Sequence, residues 1–162
     1  MKFHWLMNGL VCLCLCAIDS ASAQEPSEAE ADIEPDRELV EQRSPAGSMR
    51  SFMHSAEQGD FESAARYLDL RYLPESMGEP DGAALAEQLY IIISRQIDID
   101  LDALSDSPDG ADNDGLPTYR DLLGTVVTTA GQRAIYMQHV PGEGNERIWK
   151  VSNASVARIP EL

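Results

Sequence analysis

The densest set of groups that could do chemistry lies in one acidic stretch, DIDLDALSDSPDGADNDGLP, residues Asp98 to Pro117. Inside it, Gly110-Ala111-Asp112-Asn113-Asp114-Gly115 places oxygen-bearing side chains at alternate positions ahead of a glycine. Asp121 follows eleven residues after Gly110. Calcium loops use that pattern, because a hard cation takes six to eight oxygen ligands from a tightly turning backbone. Asp112, Asp114 and Asp121 are therefore weak calcium candidates. The fit is partial: Gly110 stands at the first ligand position, and Asp121 replaces the longer closing glutamate. The competing reading is a solvated acidic loop, or one paired with arginines of the same domain.

Other chemistries find less support. Beyond the first residues of the chain the histidines are His54 and His139, and neither has a second ligand at zinc spacing. His54 sits one position off an apolar helical stripe and reads as a surface or edge residue, and His139 as a structural residue on a strand. There is no Gly-x-Ser-x-Gly elbow, no Ser-x-x-Lys and no phosphate-cradling glycine loop. Carboxylate pairs are abundant, but a general acid needs burial to raise its pKa, and these sit in polar sequence. The residues give no catalytic constellation, no cofactor site and no firm metal site, so the chain reads as non-enzymatic. Asn153-Ala154-Ser155 is a formal glycosylation sequon, but Ser152 or Asn153 equally suits the cap of a helical turn.

These residues must be placed by elements, and the first 23 residues are set aside from them. Lys2, the apolar run Leu10 to Ile18 and the small-x-small triplet Ala21-Ser22-Ala23 form a secretory leader. Its apolar run is nine residues long, where a membrane span needs about 20. Cleavage near Ala23 would remove Cys12, Cys14 and Cys16, which are all the cysteines of the chain. Lipid attachment needs a small residue before the cysteine, and Val11, Leu13 and Leu15 stand there. The exported chain can then form neither a disulfide nor a thiolate metal site, and its location is periplasmic or secreted.

Residues 24–43 hold eight acids against two arginines and few large apolar side chains, which predicts a disordered acidic linker. Residues 44–162 are long enough for one ordinary core. The net charge of −16 disfavours nucleic acid and anionic lipid as partners, since both demand clustered Lys and Arg.

Within 44–162, Ser44-Pro45 opens a helix whose apolar stripe is Met49, Phe52, Met53 and Ala56. Gly59 stops it, Asp60 caps the next, and Phe61, Ala64, Ala65 and Leu68 repeat the spacing, which predicts a helical hairpin. One such unit resembles a tetratricopeptide repeat, but no second copy follows. A third helix is expected over Gly82 to Ile97, with Leu85, Leu89, Ile92, Ile93 and Ile97 on one face and Tyr90 and Ile91 widening it. The acidic stretch follows as loop or short turns, tethered by Leu101 and Leu104. Strands are expected at Gly124 to Thr129, Arg133 to Val140 and Arg147 to Val151, the last two joined by a turn at Pro141 to Asn145. Trp149 and Val151 share one strand face, Tyr136 and Val140 a face of its neighbour, and Trp149 reads as a core anchor. The fold class is α+β: a helical hairpin and a third helix packed on a small antiparallel sheet of about three strands.

Three segments, SPAGSMRSFMHSAEQGDFESAARYLDLRYLP, IDLDALSDSPDGADNDGLPTYRDLLGTV and RIWKVSNASVARIPEL, cover nearly all of residues 44–162 in order. Through them the chain resembles the exported N-terminal module of small-conductance mechanosensitive ion channel family proteins. The resemblance implies a periplasmic auxiliary or sensing module with no reaction of its own, whose partner is a membrane channel or another envelope protein. No segment after the leader is apolar enough to cross a membrane, so the resemblance does not imply a pore here. The alternative is a small-ligand-binding cone of the nuclear-transport-factor-2-like type, suggested by a helical hairpin, later strands and a late Trp149-Lys150-Val151. A deep apolar pocket between the third helix and the sheet would favour the cone. A filled core with an exposed apolar patch near the C-terminus would favour protein contact.

Overall fold

The computed structural model describes residues 41–96, 103–142, 144 and 146–162, all within one compact unit. The expected leader, most of the linker, Ile97 and Leu101 lie outside the described residues.

Helix α1, Pro45–Glu57, starts where its cap chemistry dictates. Ser44 is extended (φ −131°, ψ 156°) and its hydroxyl accepts from the Gly47 amide at 3.0 Å, while Pro45 lacks the amide that would otherwise go unpaired. Met49, Phe52 and Ala56 are buried along one stripe. Gly59, at φ +75°, turns the chain out of the helix, and the Asp60 carboxylate then accepts from the Ser63 amide at 3.0 Å.

The second arm of the expected hairpin is cut short. Helix α2 is only Phe61–Ala64, followed by a 3₁₀ turn at Ala65–Tyr67. Leu68 is already extended (φ −99°, ψ 138°) and bridges Val151 in parallel, and the Asp69 amide donates to the Val151 carbonyl at 3.0 Å. Local spacing favours continued helix at Leu68; pairing with a strand more than 80 residues away draws it onto the sheet edge instead.

Helix α3, Gly82–Gln96, is capped by the Asp81 carboxylate, which accepts from Ala84 N–H at 3.1 Å. Its Leu85, Leu89, Ile92 and Ile93 are buried, as their spacing predicts. Ile91 is 39% exposed, so the apolar face does not widen that far.

Strands β1 (Arg120–Thr128), β2 (Gly131–Pro141) and β3 (Arg147–Val151) form an antiparallel sheet in the order β1-β2-β3. The class is α+β. Met137 pairs with Val151 and His139 with Trp149, so the core face of β2 is Ile135 and Met137, while Tyr136 lies on the other face. Strand β1 begins four residues before the Val/Thr-rich run, because Arg120, Asp121 and Leu122 pair with Gln138, Met137 and Tyr136. The register then shifts between Leu122 and Gly124, which makes Leu123 an extra, buried bulge residue.

After β3, Ser152 caps the short helix α4 (Asn153–Val156) through the Ser155 amide, and a 3₁₀ turn follows at Ile159–Glu161. Ser152 N–H donates to the Tyr136 carbonyl and the Ser155 hydroxyl accepts from the Tyr136 amide, at 2.8 and 2.9 Å. These turns carry Val156 and Ile159 into the same core as Phe52, Leu89, Val126, Met137 and Trp149. Each large side chain buried there contributes about 1.5–3 kcal/mol of transfer free energy. Among the described residues no helix is long and apolar enough to cross a membrane.

Candidate functional site

Trp149 organises the acidic loop. Its indole is fully buried, and Nε1–H donates to the Pro108 carbonyl at 2.9 Å. A Cβ on Gly110 would lie 2.9 Å from indole Cζ2 and Cη2, and Gly110 has φ +80°, so glycine is required there by both space and conformation. The Ser105 hydroxyl donates to the Gly110 carbonyl at 2.8 Å, and the Ser105 carbonyl accepts from Ala46 N–H at 3.1 Å. The loop is thereby tied to the start of α1.

His139 stacks on the same indole, with ring centroids 4.9 Å apart and planes 8° from parallel. Burial, and then the neighbouring Arg147 charge, hold its pKa below the ordinary imidazole range. A shallow cleft of about 280 Å³ opens there, lined by Arg43, Pro108, Asp109, His139, Glu146 and Arg147. Arg43 and Glu146 pair across it at 3.0 Å. His54 is exposed and meets Gln58 at 2.8 Å.

The calcium candidates are not gathered. Asp112 is exposed, and the Asp114 carboxylate accepts from the Leu116 amide at 2.8 Å, closing a local turn around Gly115 (φ +75°). Asp121 is buried at the start of β1, where the Leu122 and Ala111 amides donate to its carboxylate. Its Oδ2 has no partner among the described residues. Burial, and then the charge of Asp114, raise its pKa. Among the described residues no group of three or more His, Cys, Asp or Glu side chains is placed to hold a metal ion.

A second charged centre escaped the sequence reading. Asp69 is buried, yet its carboxylate accepts from Arg71 Nε at 2.7 Å, Arg71 Nη2 at 3.2 Å, the Arg71 amide at 3.2 Å and Gln138 Nε2 at 2.7 Å. Burial pushes this carboxyl up, but the Arg71 and Gln138 hydrogen bonds and the Arg71 charge outweigh it and hold the pKa below the ordinary value. The only local sign is an acid flanked by Leu68 and Leu70, with an arginine two positions on. An adjoining cleft of about 380 Å³ includes Leu68, Leu70, Arg71, Val140 and Lys150 in its wall. Both carboxylate oxygens of Asp69 are occupied, so its role is to fasten residues 68–71 to β2.

The remaining feature is apolar. β1 is an edge strand, with β2 on one side and no strand on the other among the described residues. On it Leu122 and Val127 are 42% and 66% exposed, and Tyr119 just before it is exposed as well. Leu122 and Val127 are five positions apart, so plain alternation would put them on opposite faces. The bulge at Leu123 cancels that: Leu122 pairs with Tyr136 and Val127 with Gln132, both on the face of β2 opposite Ile135 and Met137. They form one outward strip beside Thr125 and Ala134. Between α3 and the inner face, by contrast, Leu89, Val126, Met137 and Val156 are all fully buried in a single cluster.

Compared with protein-family models, curated proteins and solved structures, the chain matches none.

Proposed function

We propose that this chain is a non-enzymatic module of the cell envelope that acts by protein contact, akin to the exported N-terminal module of small-conductance mechanosensitive channels. The observation that carries the reading is the outward apolar strip of Leu122 and Val127 on an edge strand with no neighbour on its outer side among the described residues, set against a filled inner core. Exposed edge strands are ready templates for another chain, and soluble proteins ordinarily defend them with charges, prolines or a cover. β1 does have the bulge at Leu123 and the buried charge of Asp121, but from Leu122 to Thr128 it carries no charge and no proline. The secretory leader and the three segment likenesses supply the envelope setting.

A photo-crosslinking residue at Val127, with the same residue at exposed Arg95 on α3 as control, tests this in the native envelope. Adducts to a protein at position 127 and not at 95 are expected. Equal or absent adducts at both sites, or a small molecule retained by the purified protein, would overturn it. Recovery of the protein from the envelope fraction with Gln24 at its N-terminus is the expected result for the leader.

A further inference from the structure

We infer that the occupant of the β1 edge is a second copy of this chain, joined antiparallel through β1 so that two three-stranded sheets become one of six strands. This rests on the contact reading above and names its partner. The argument is one of charge and symmetry. In a chain of net charge −16, residues Leu122 to Gly142 contain no Asp or Glu. Beyond the buried Asp121 at its start, the hairpin of β1 and β2 is thus the longest acid-free stretch of the folded part, where two copies meet without like-charge repulsion.

The ends of β1 are electrostatically unlike. The strand begins beside the acidic loop, where Ala111 N–H reaches Asp121 and Asp112 and Asp114 lie on the preceding turns. It ends at the Thr128–Gly131 hairpin, next to exposed Arg133. A parallel arrangement would set two acidic loops side by side. The antiparallel one sets the acidic loop of each copy against the Arg133 end of the other. It also brings Val127 of one copy towards Leu122 of its partner on a common outer face, since the bulge has placed both side chains there. Such an interface is self-complementary, as a two-fold contact must be. A contact made through one strand edge falls in the small, reversible class.

Sedimentation equilibrium of the purified protein over a concentration series is the test, with Val127→Lys and Arg133→Glu as variants. Both side chains are exposed, so the variants retain the wild-type circular dichroism. The expected result is a reversible dimer, weakened about tenfold or more by V127K and several-fold by R133E, with the β1 amides that face away from β2 exchanging slowly only at dimer concentrations. A protein that stays monomeric at every concentration overturns the proposal. In that case, slow exchange of the outward-facing β1 amides would mean that the chain covers its own edge, and their fast exchange together with crosslinks at position 127 would mean a different protein. A dimer indifferent to both substitutions overturns it as well. Only loss of the crosslinks themselves would reach back to the contact reading.

Discussion

Replacing Asp69 by asparagine tests whether the chain after α2 is held by buried charge or merely by packing. The carboxylate accepts four hydrogen bonds, two from the Arg71 guanidinium, one from the Arg71 amide and one from Gln138. An asparagine side chain in its place would present an amide N–H₂ where an oxygen now faces a donor. One or two of these bonds are then lost, and a donor is set against a donor. Hydrogen bonds to a charged group are worth about 1.5–3 kcal/mol each before rearrangement. The Arg71 side chain keeps 45% exposure, so water screens its charge and the ion-pair part adds about 0.5 kcal/mol at most. A total loss of about 2 kcal/mol follows, which lowers the melting temperature of a domain of this size by roughly 6–10 °C.

The pH dependence separates the two explanations. The folded-state pKa of Asp69 lies below its ordinary value of 3.8, so between the two the unfolded chain binds more protons and stability rises with pH. The gap between wild type and D69N is therefore full above pH 3.8. It closes as the pH falls through the folded-state value. Thermal melts of both proteins followed by circular dichroism from about pH 2 to 7 measure it. A gap under about 0.5 kcal/mol, smaller than one ordinary hydrogen bond, would refute the reasoning. So would a gap of full size that ignores pH, since packing alone does not titrate.

Asp121→Asn should have the opposite sign: burial and then Asp114 raise that carboxyl, so the variant is more stable than wild type at pH 7 and loses the advantage as the pH drops towards 3.8. Thermal melts at the two pH values read it. Gly110→Ala should cost about 2 kcal/mol or more in urea unfolding, since the new methyl meets the Trp149 indole at 2.9 Å and φ +80° disfavours any side chain. A loss under about 0.5 kcal/mol, within the range of an inert surface substitution, would mean that the loop does not seat on Trp149. His139 has a folded-state pKa below 6.5, so the unfolded chain gains a proton first, and stability falls as the pH drops from 6.5 to the folded value. His139→Gln should remove that slope, and Trp149 fluorescence should report the same titration in the wild type.

What the sequence made legible were the features settled by neighbours along the chain. Ser44-Pro45, Gly59-Asp60 and Ser152 each cap or stop a helix through a bond to a residue at most three positions away, and all do so in the structure. The stripe of α3 and the anchoring role of Trp149 are equally local, because spacing and size decide burial. The misreadings share a different cause. Leu68 leaves the helical pattern because Val151 offers it a strand partner, and β1 starts at Arg120 because Gln138 and Met137 lie opposite residues that look polar in isolation. The calcium template counted positions along a loop, whereas Asp114 closes its own turn and Asp121 is carried into the sheet. The same distinction bears on the contact surface. Leu122 and Val127 differ in parity, and no alternation rule would place them together. Only the pairing of β1 with β2 forces Leu123 out of register, and with it the apolar side chains on either side of the bulge onto one face. A substitution that removed the bulge would turn one of the two inward and split the strip, with no change at either residue. The outward surface is therefore a property of strand register, and it stands or falls with the β1–β2 pairing.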